Sequence, residues 1–282
     1  MSIIQKSRKA LEYDKILFEL AKYAKTDQSK GMCLNLTPYV KMDDIHTQLM
    51  YTREAKGVLD TARDIPVEKI QNFSKLREKN EYFIEEELIE IAKSMRTFRL
   101  VKNFLKENVS YDSLLVKISE KLYTDKVLEE KILNTFDSDG TVKQNANSEL
   151  KGLYASLKDT ESNLKKQVQT LMNSADFQKH LQENIYTLRD DRIVFQVMAS
   201  AKNKVKGIIH DVSATNKTFY IEPEQIVPLN NKIREIEVQI NIEIERILKA
   251  LSNEIGAGTY YCKVYASTDD VIYGLTCVMI MV

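Results

Sequence analysis

Two stretches of this chain carry the same apolar spacing, 76 residues apart. Leu150, Leu153, Leu157, Thr160, Leu164, Val168, Leu171 and Ala175 step by 3, 4, 3, 4, 4, 3 and 4. Ile226, Leu229, Ile233, Ile236, Ile240, Ile244, Ile247 and Leu251 step identically. Such steps place every residue of a set on one face of an α-helix. Each stretch of 26 residues would reach about 39 Å as a helix. The 3-4-4 interruption spans 11 residues over three turns and is centred on Leu164 in one stretch and Ile240 in the other. Aligning these centres antiparallel also brings Leu181 opposite Pro223, so the spacing predicts an antiparallel helical hairpin. Two separate amphipathic helices in one bundle is the other arrangement the spacing allows.

The segment between the seams has a different period. Ile185–Leu188, Arg192–Met198, Val205–Val212 and Lys217–Glu222 are short, β-branched or aromatic, and separated by polar turns, which predicts four strands. Pro223 closes them, and Pro228 falls in the first turn of the following helix, where its missing N–H is tolerated.

Upstream of the seams the pattern is helical. A helix is expected over 7–25 with Leu11, Ile16, Leu20 and Ala24 inward, another over 43–62 opened by Asp43 and Asp44, and a third over 85–106 opened by Glu85, Glu86 and Glu87. Acidic first turns suit the helix dipole. Shorter helices are expected near 112–122 and 125–135, followed by a turn at Asp137-Ser138-Asp139-Gly140. With only 8 Gly and 4 Pro in 282 residues, long helices are favoured over a turn-rich β fold. The expected architecture is mainly α: a helical body over 1–140, a first long helix within 141–184, a small antiparallel β insertion over 185–223, a second long helix over 224–255, and a divergent or truncated tail over 256–282. In that tail Gly256 and Gly258 break the helical pattern, and the apolar end is an aggregation liability.

Composition excludes several classes of function. Lys plus Arg and Asp plus Glu both number 41, so no whole-chain basic signature for nucleic acid exists and any such surface must be local. No GxxxxGK[ST] or GxGxxG string occurs. His46, His180 and His210 have no His or Cys at metal-ligand spacing. The Asp137–Gly140 turn, placed in a calcium loop, would put Thr135 and Ala146 at positions that need acidic groups, so calcium is rejected. No catalytic, cofactor or metal set can be assembled. Cys33, Cys262 and Cys277 form no CxxC pair, which predicts reduced thiols and a cytoplasmic location. The start is charged rather than signal-like, and the nine-residue apolar end is far short of the ~20 that cross a bilayer.

One local charge anomaly remains. Between Arg189 and Lys217 lie six cations, Arg189, Arg192, Lys202, Lys204, Lys206 and Lys217, against Asp190, Asp191 and Asp211, a net +3. These six are the candidate phosphate contacts, with His210 assigned a structural role.

Several strings in this region form a recognisable series: Ile185 to Val194, Val205-Lys-Gly207-Ile-Ile-His210-Asp211-Val-Ser213-Ala214, Thr218-Phe219-Tyr-Ile-Glu222-Pro223, and Val227-Pro-Leu229-Asn230-Asn231. With Leu11-Glu12-Tyr13-Asp14-Lys15-Ile16 near the start, the chain resembles the MutS-two family, bacterial paralogues of the mismatch-repair MutS proteins, over roughly 8–255. The resemblance implies a core and lever region with a clamp-like insertion. Full-length relatives add an ATPase that uses ATP and Mg, and a C-terminal Smr nuclease. They are linked to mismatched or branched DNA, suppression of recombination and the splitting of collided ribosomes, and they act as homodimers. The resemblance therefore implies a non-catalytic N-terminal fragment that engages DNA or the ribosome and its RNA, with no membrane partner. A structural coiled-coil module that binds only protein is the alternative. Asn216 stands where the family usually has glycine, and asparagine is the residue best able to keep a positive φ there.

Overall fold

A computed structural model describes residues 3–24, 27–61, 66–67, 82–122 and 124–255. Contacts divide the chain into two units, one formed by residues 1–142 with 248–282 and the other by 143–247.

The first unit is helical. It contains α1 (Ile3–Ala10), α2 (Tyr13–Lys22), α3 (Asp27–Leu34), α4 (Met42–Thr61), α5 (Glu85–Asn108), α6 (Leu114–Ser119) and α7 (Lys126–Thr135). Its centre is α5, which buries Leu88, Ile91, Ala92, Met95, Phe98, Val101 and Leu105 and packs against α6 and α7. The acidic start of α5 does more than meet the dipole, because the Glu87 carboxylate accepts the Ile84 N–H at 3.1 Å. Across the α5–α7 interface Arg99 donates from Nε and Nη2 to both oxygens of the buried Glu129, at 2.8 Å each. This fork-to-carboxylate geometry is what lets Glu129 be buried charged.

The helix expected over 7–25 is broken. Glu12 takes φ 52°, a left-handed conformation that stops α1 and restarts the chain as α2. Ala24 is buried and Leu20 half-buried, as expected, but Leu17 and Ala21 turn inward with them, whereas Leu11 and Ile16, expected inward, are exposed. The turn after α7 forms as expected: Gly140 has φ 89° and its N–H meets the Asp137 carbonyl at 3.1 Å. The expected tail over 256–282 lies outside the described residues.

The second unit holds α8 (Ser148–Asn173), α9 (Ala175–Gln178), a four-stranded antiparallel sheet and most of α10 (Val227–Glu254). The strands are β1 (Leu181–Arg189), β2 (Arg192–Met198), β3 (Gly207–Val212) and β4 (Thr218–Pro223), in the order β1-β2-β4-β3. All four predicted strands are present, β1 beginning four residues early. The order β2-β4-β3 requires a crossover, made by residues 199–206. One sheet face carries Phe195, Val197 and Ile221, which join Leu164, Val168, Leu181, Ala201, Val205 and Ile226 in a buried core. Phe177 adds an edge-on ring contact to Phe195 at 5.0 Å.

Both long helices form with their seams turned inward, yet the long antiparallel hairpin, with Leu164 level with Ile240, is overturned. Among the described residues no extended interface links α8 to α10. Three residues of the α8 seam are buried, Leu150, Leu164 and Val168; the last two belong to the sheet core, while Leu153 and Leu157 are only half-buried. Periodicity fixes which face of a helix is covered, not what covers it. Polar contacts do join the two helices: Asn147 Nδ2 donates to Glu243 at 2.6 Å and Arg246 Nη2 to Glu149 at 3.2 Å.

Candidate nucleic-acid interface

The β1–β2 hairpin turns through Asp190 and Asp191, with φ 48° and 60°. Two consecutive left-handed residues match the twist of antiparallel strands. The turn sets Arg189 directly opposite Arg192. Like charges facing across a ladder repel, so each arginine needs its own acidic partner, and the two partners differ.

Arg192 is held inward. Its Nη1 donates to Glu222 at 3.1 and 3.3 Å, and its Nη2 donates to Asn231 at 2.6 Å. Glu222 is fully buried on β4. Its carboxylate also accepts Asn230 Nδ2 at 2.8 Å and pairs with His210 Nε2 at 2.6 Å. The β-bulge between Ile209 and Asp211 coincides with the turn of His210 toward Glu222. One carboxylate thus ties β2, β3, β4 and the first turns of α10 together. Gly207 permits the close β3–β4 approach at this end, since a Cβ there would sit 2.0 Å from the Glu222 carbonyl oxygen.

Arg189 lies on the same sheet face but stays half-exposed. Its guanidinium carbon sits 4.3 Å from the centre of the Tyr220 ring, and its Nε is 3.4 Å from Asp211. The four lysines are exposed, and among the described residues none of them forms an ion pair. Lys202 begins the free part of the crossover, its Nζ 4.6 Å from the Phe219 ring centre. The Lys217 carbonyl accepts the Ala199 N–H at 3.0 Å, which brings Lys217 to the same end of the sheet. Lys206 lies at the other end, its carbonyl accepting Glu224 N–H at 3.0 Å, and Lys204 stands between. The turn before Lys217 uses Asn216 at φ 55°, as the sequence reading expected for that position.

The six candidate cations therefore divide. Lys202, Lys204, Lys206 and Lys217, on the crossover and the β3–β4 turn, form no ion pair among the described residues, Lys202 lying over the Phe219 ring. Arg189 presents an aromatic-backed guanidinium, and Arg192 holds the fold. His210 has the structural contact expected of it, whereas Glu222, Asn230 and Asn231 have structural roles that no motif announces. The available signal was a carboxylate inside the otherwise apolar run Tyr220-Ile221-Glu222-Pro223. Among the described residues no group of three His, Cys, Asp or Glu side chains could hold a metal, and no helix is long and apolar enough to cross a membrane.

The chain is 34% identical over 257 residues to Endonuclease MutS2 of Clostridium botulinum, an alignment covering 89% of this chain and 32% of that protein. The figures are the same for Endonuclease MutS2 of Clostridium novyi. For the Clostridium tetani protein of that name the identity is 32% over 256 residues. The chain spans about a third of the length of the curated relatives it matches. No protein-family model matches the chain.

Proposed function

Because the chain belongs to the MutS2 family across the matched 89% of its length, we propose that it is the non-catalytic N-terminal part of a MutS2-type DNA-binding ATPase and endonuclease. Its β module would engage branched or mismatched DNA through phosphates. The observation that carries this reading is the set of four exposed lysines, Lys202, Lys204, Lys206 and Lys217, that form no ion pair among the described residues, on a module whose two arginines do. Unpaired ammonium groups are what phosphate neutralisation requires, and they carry no base-reading code by themselves. Recognition of shape or backbone, with weak sequence preference, follows.

Salt dependence tests it. Binding of a labelled four-way DNA junction should weaken steeply as salt rises. Replacing Lys202, Lys204 and Lys206 together by Ala should lower affinity and flatten the log–log salt slope by up to ~2.7 units if all three meet B-DNA phosphates. A triple variant that binds both junction DNA and ribosomes as the parent does would remove the β module as the contact surface. Binding to ribosomes alone would transfer the reading to RNA.

A further inference from the structure

The sheet face opposite the core has a composition that phosphate binding does not explain. Strand register places Gln196 beside Tyr220 and Tyr220 beside Asp211, with Thr187 and Arg189 on the same face of β1. Tyr220, Gln196 and Thr187 are half-buried, and the side chains of Arg189 and Asp211 keep 38% and 53% of their exposure. An aromatic ring, a guanidinium over it, an amide and a carboxylate thus share one partly open surface. The carboxylate repels phosphate but accepts hydrogen bonds from the amino groups of bases. An aromatic ring with a neighbouring guanidinium offers a stacking surface to any base.

The dimensions select the form of the nucleic acid. Outer strands of a four-stranded sheet are about 14 Å apart before side chains are counted, wider than the ~12 Å major groove that admits a helix or a two-stranded ribbon. In an intact duplex the base faces are already stacked, and only their edges are presented.

We propose that this face is a single-strand platform, on which an unpaired base stacks at Tyr220 and Arg189 and offers its amino edge to Asp211. The proposal rests on the nucleic-acid reading above and names the class of strand that it prefers.

Fluorescence anisotropy of the full chain with a labelled 20-nucleotide single strand, the matching blunt duplex, and the same single strand carrying a central abasic run tests it. The single strand should bind at least 5-fold more tightly than both the duplex and the abasic strand. Tyr220→Ala should cost the single strand about 5-fold or more, the range for loss of one stacked base, with duplex binding unchanged. Tyr220→Phe should retain the parent affinity. Equal affinity for the abasic and normal strands overturns the platform, and that comparison uses the unaltered chain, so it does not depend on how a variant folds. If the abasic and normal strands bind equally while the triple lysine variant weakens both, phosphate binding stands and the platform falls. If none of the three probes binds, both readings fall together.

Discussion

Glu222 is the residue on which the β module depends most. It is fully buried, and its two oxygens meet Arg192, His210 and Asn230. Removing it strands a guanidinium and an amide that fold around it. Glu222→Ala should therefore cost about 3 kcal/mol, the low end for breaking a buried pair, since Arg192 keeps some access to water. Glu222→Gln keeps the shape and part of the hydrogen bonding and should lose less. Urea midpoints of the two variants give the comparison, and equal midpoints for Ala and parent would show that the carboxylate holds nothing. Gly207→Ala tests the same corner by steric means. Its Cβ would meet the Glu222 carbonyl oxygen at 2.0 Å, and overpacking of this kind costs roughly 1–3 kcal/mol. The strings that carried the family resemblance, Gly207, His210, Glu222-Pro223 and Asn230-Asn231, thus meet at one structural knot rather than at a binding surface.

At the scale of elements, α8 begins on a cap that also reaches α10. Asn147 Oδ1 accepts the Leu150 N–H at 2.7 Å, while Nδ2 donates to Glu243. Hydrogen bonding from Arg246 holds the Glu243 carboxyl below the usual carboxylate range, with Asn147 adding to the effect against the cost of burial. A carboxyl lowered on folding binds its proton more readily in the unfolded chain. Its stabilising contribution is therefore complete above the unfolded value, ~4.3, and fades as pH falls through the lower folded value. The stability difference between parent and Glu243→Gln should be steady from pH 7 to 5 and shrink as pH is lowered toward 3. Urea unfolding at stepped pH measures it, and a difference that grows in acid would reverse the sign of the linkage.

For the whole molecule, a net charge of zero with a local excess of +3 between Arg189 and Lys217 means that any attraction for nucleic acid is local rather than a property of the whole chain. The chain alone is expected to release no phosphate from ATP, because its sequence contains no phosphate-cradling glycine loop. Malachite-green detection of phosphate checks this, and turnover that follows the chain through purification would overturn it. Much of the element content was legible beforehand. A period of 3 and 4 gives α8 and α10, short β-branched or aromatic runs between polar turns give the four strands, and the family's usual glycine position together with the residue type gives Asn216 its positive φ. These are local properties, set by backbone sterics and by the need to bury one face of each element. What covers each face is not local. The Leu164 and Val168 face met a sheet core in which only Ile226, Leu229 and Ile233 of the matching seam take part, because many apolar surfaces satisfy the same burial and only three-dimensional packing chooses among them. Charge behaves the same way: six cations look alike in sequence, but tertiary structure set Arg192 against a buried carboxylate and Arg189 over a tyrosine ring, leaving four lysines with no ion pair among the described residues, since an ion pair is decided by distance in space and not along the chain.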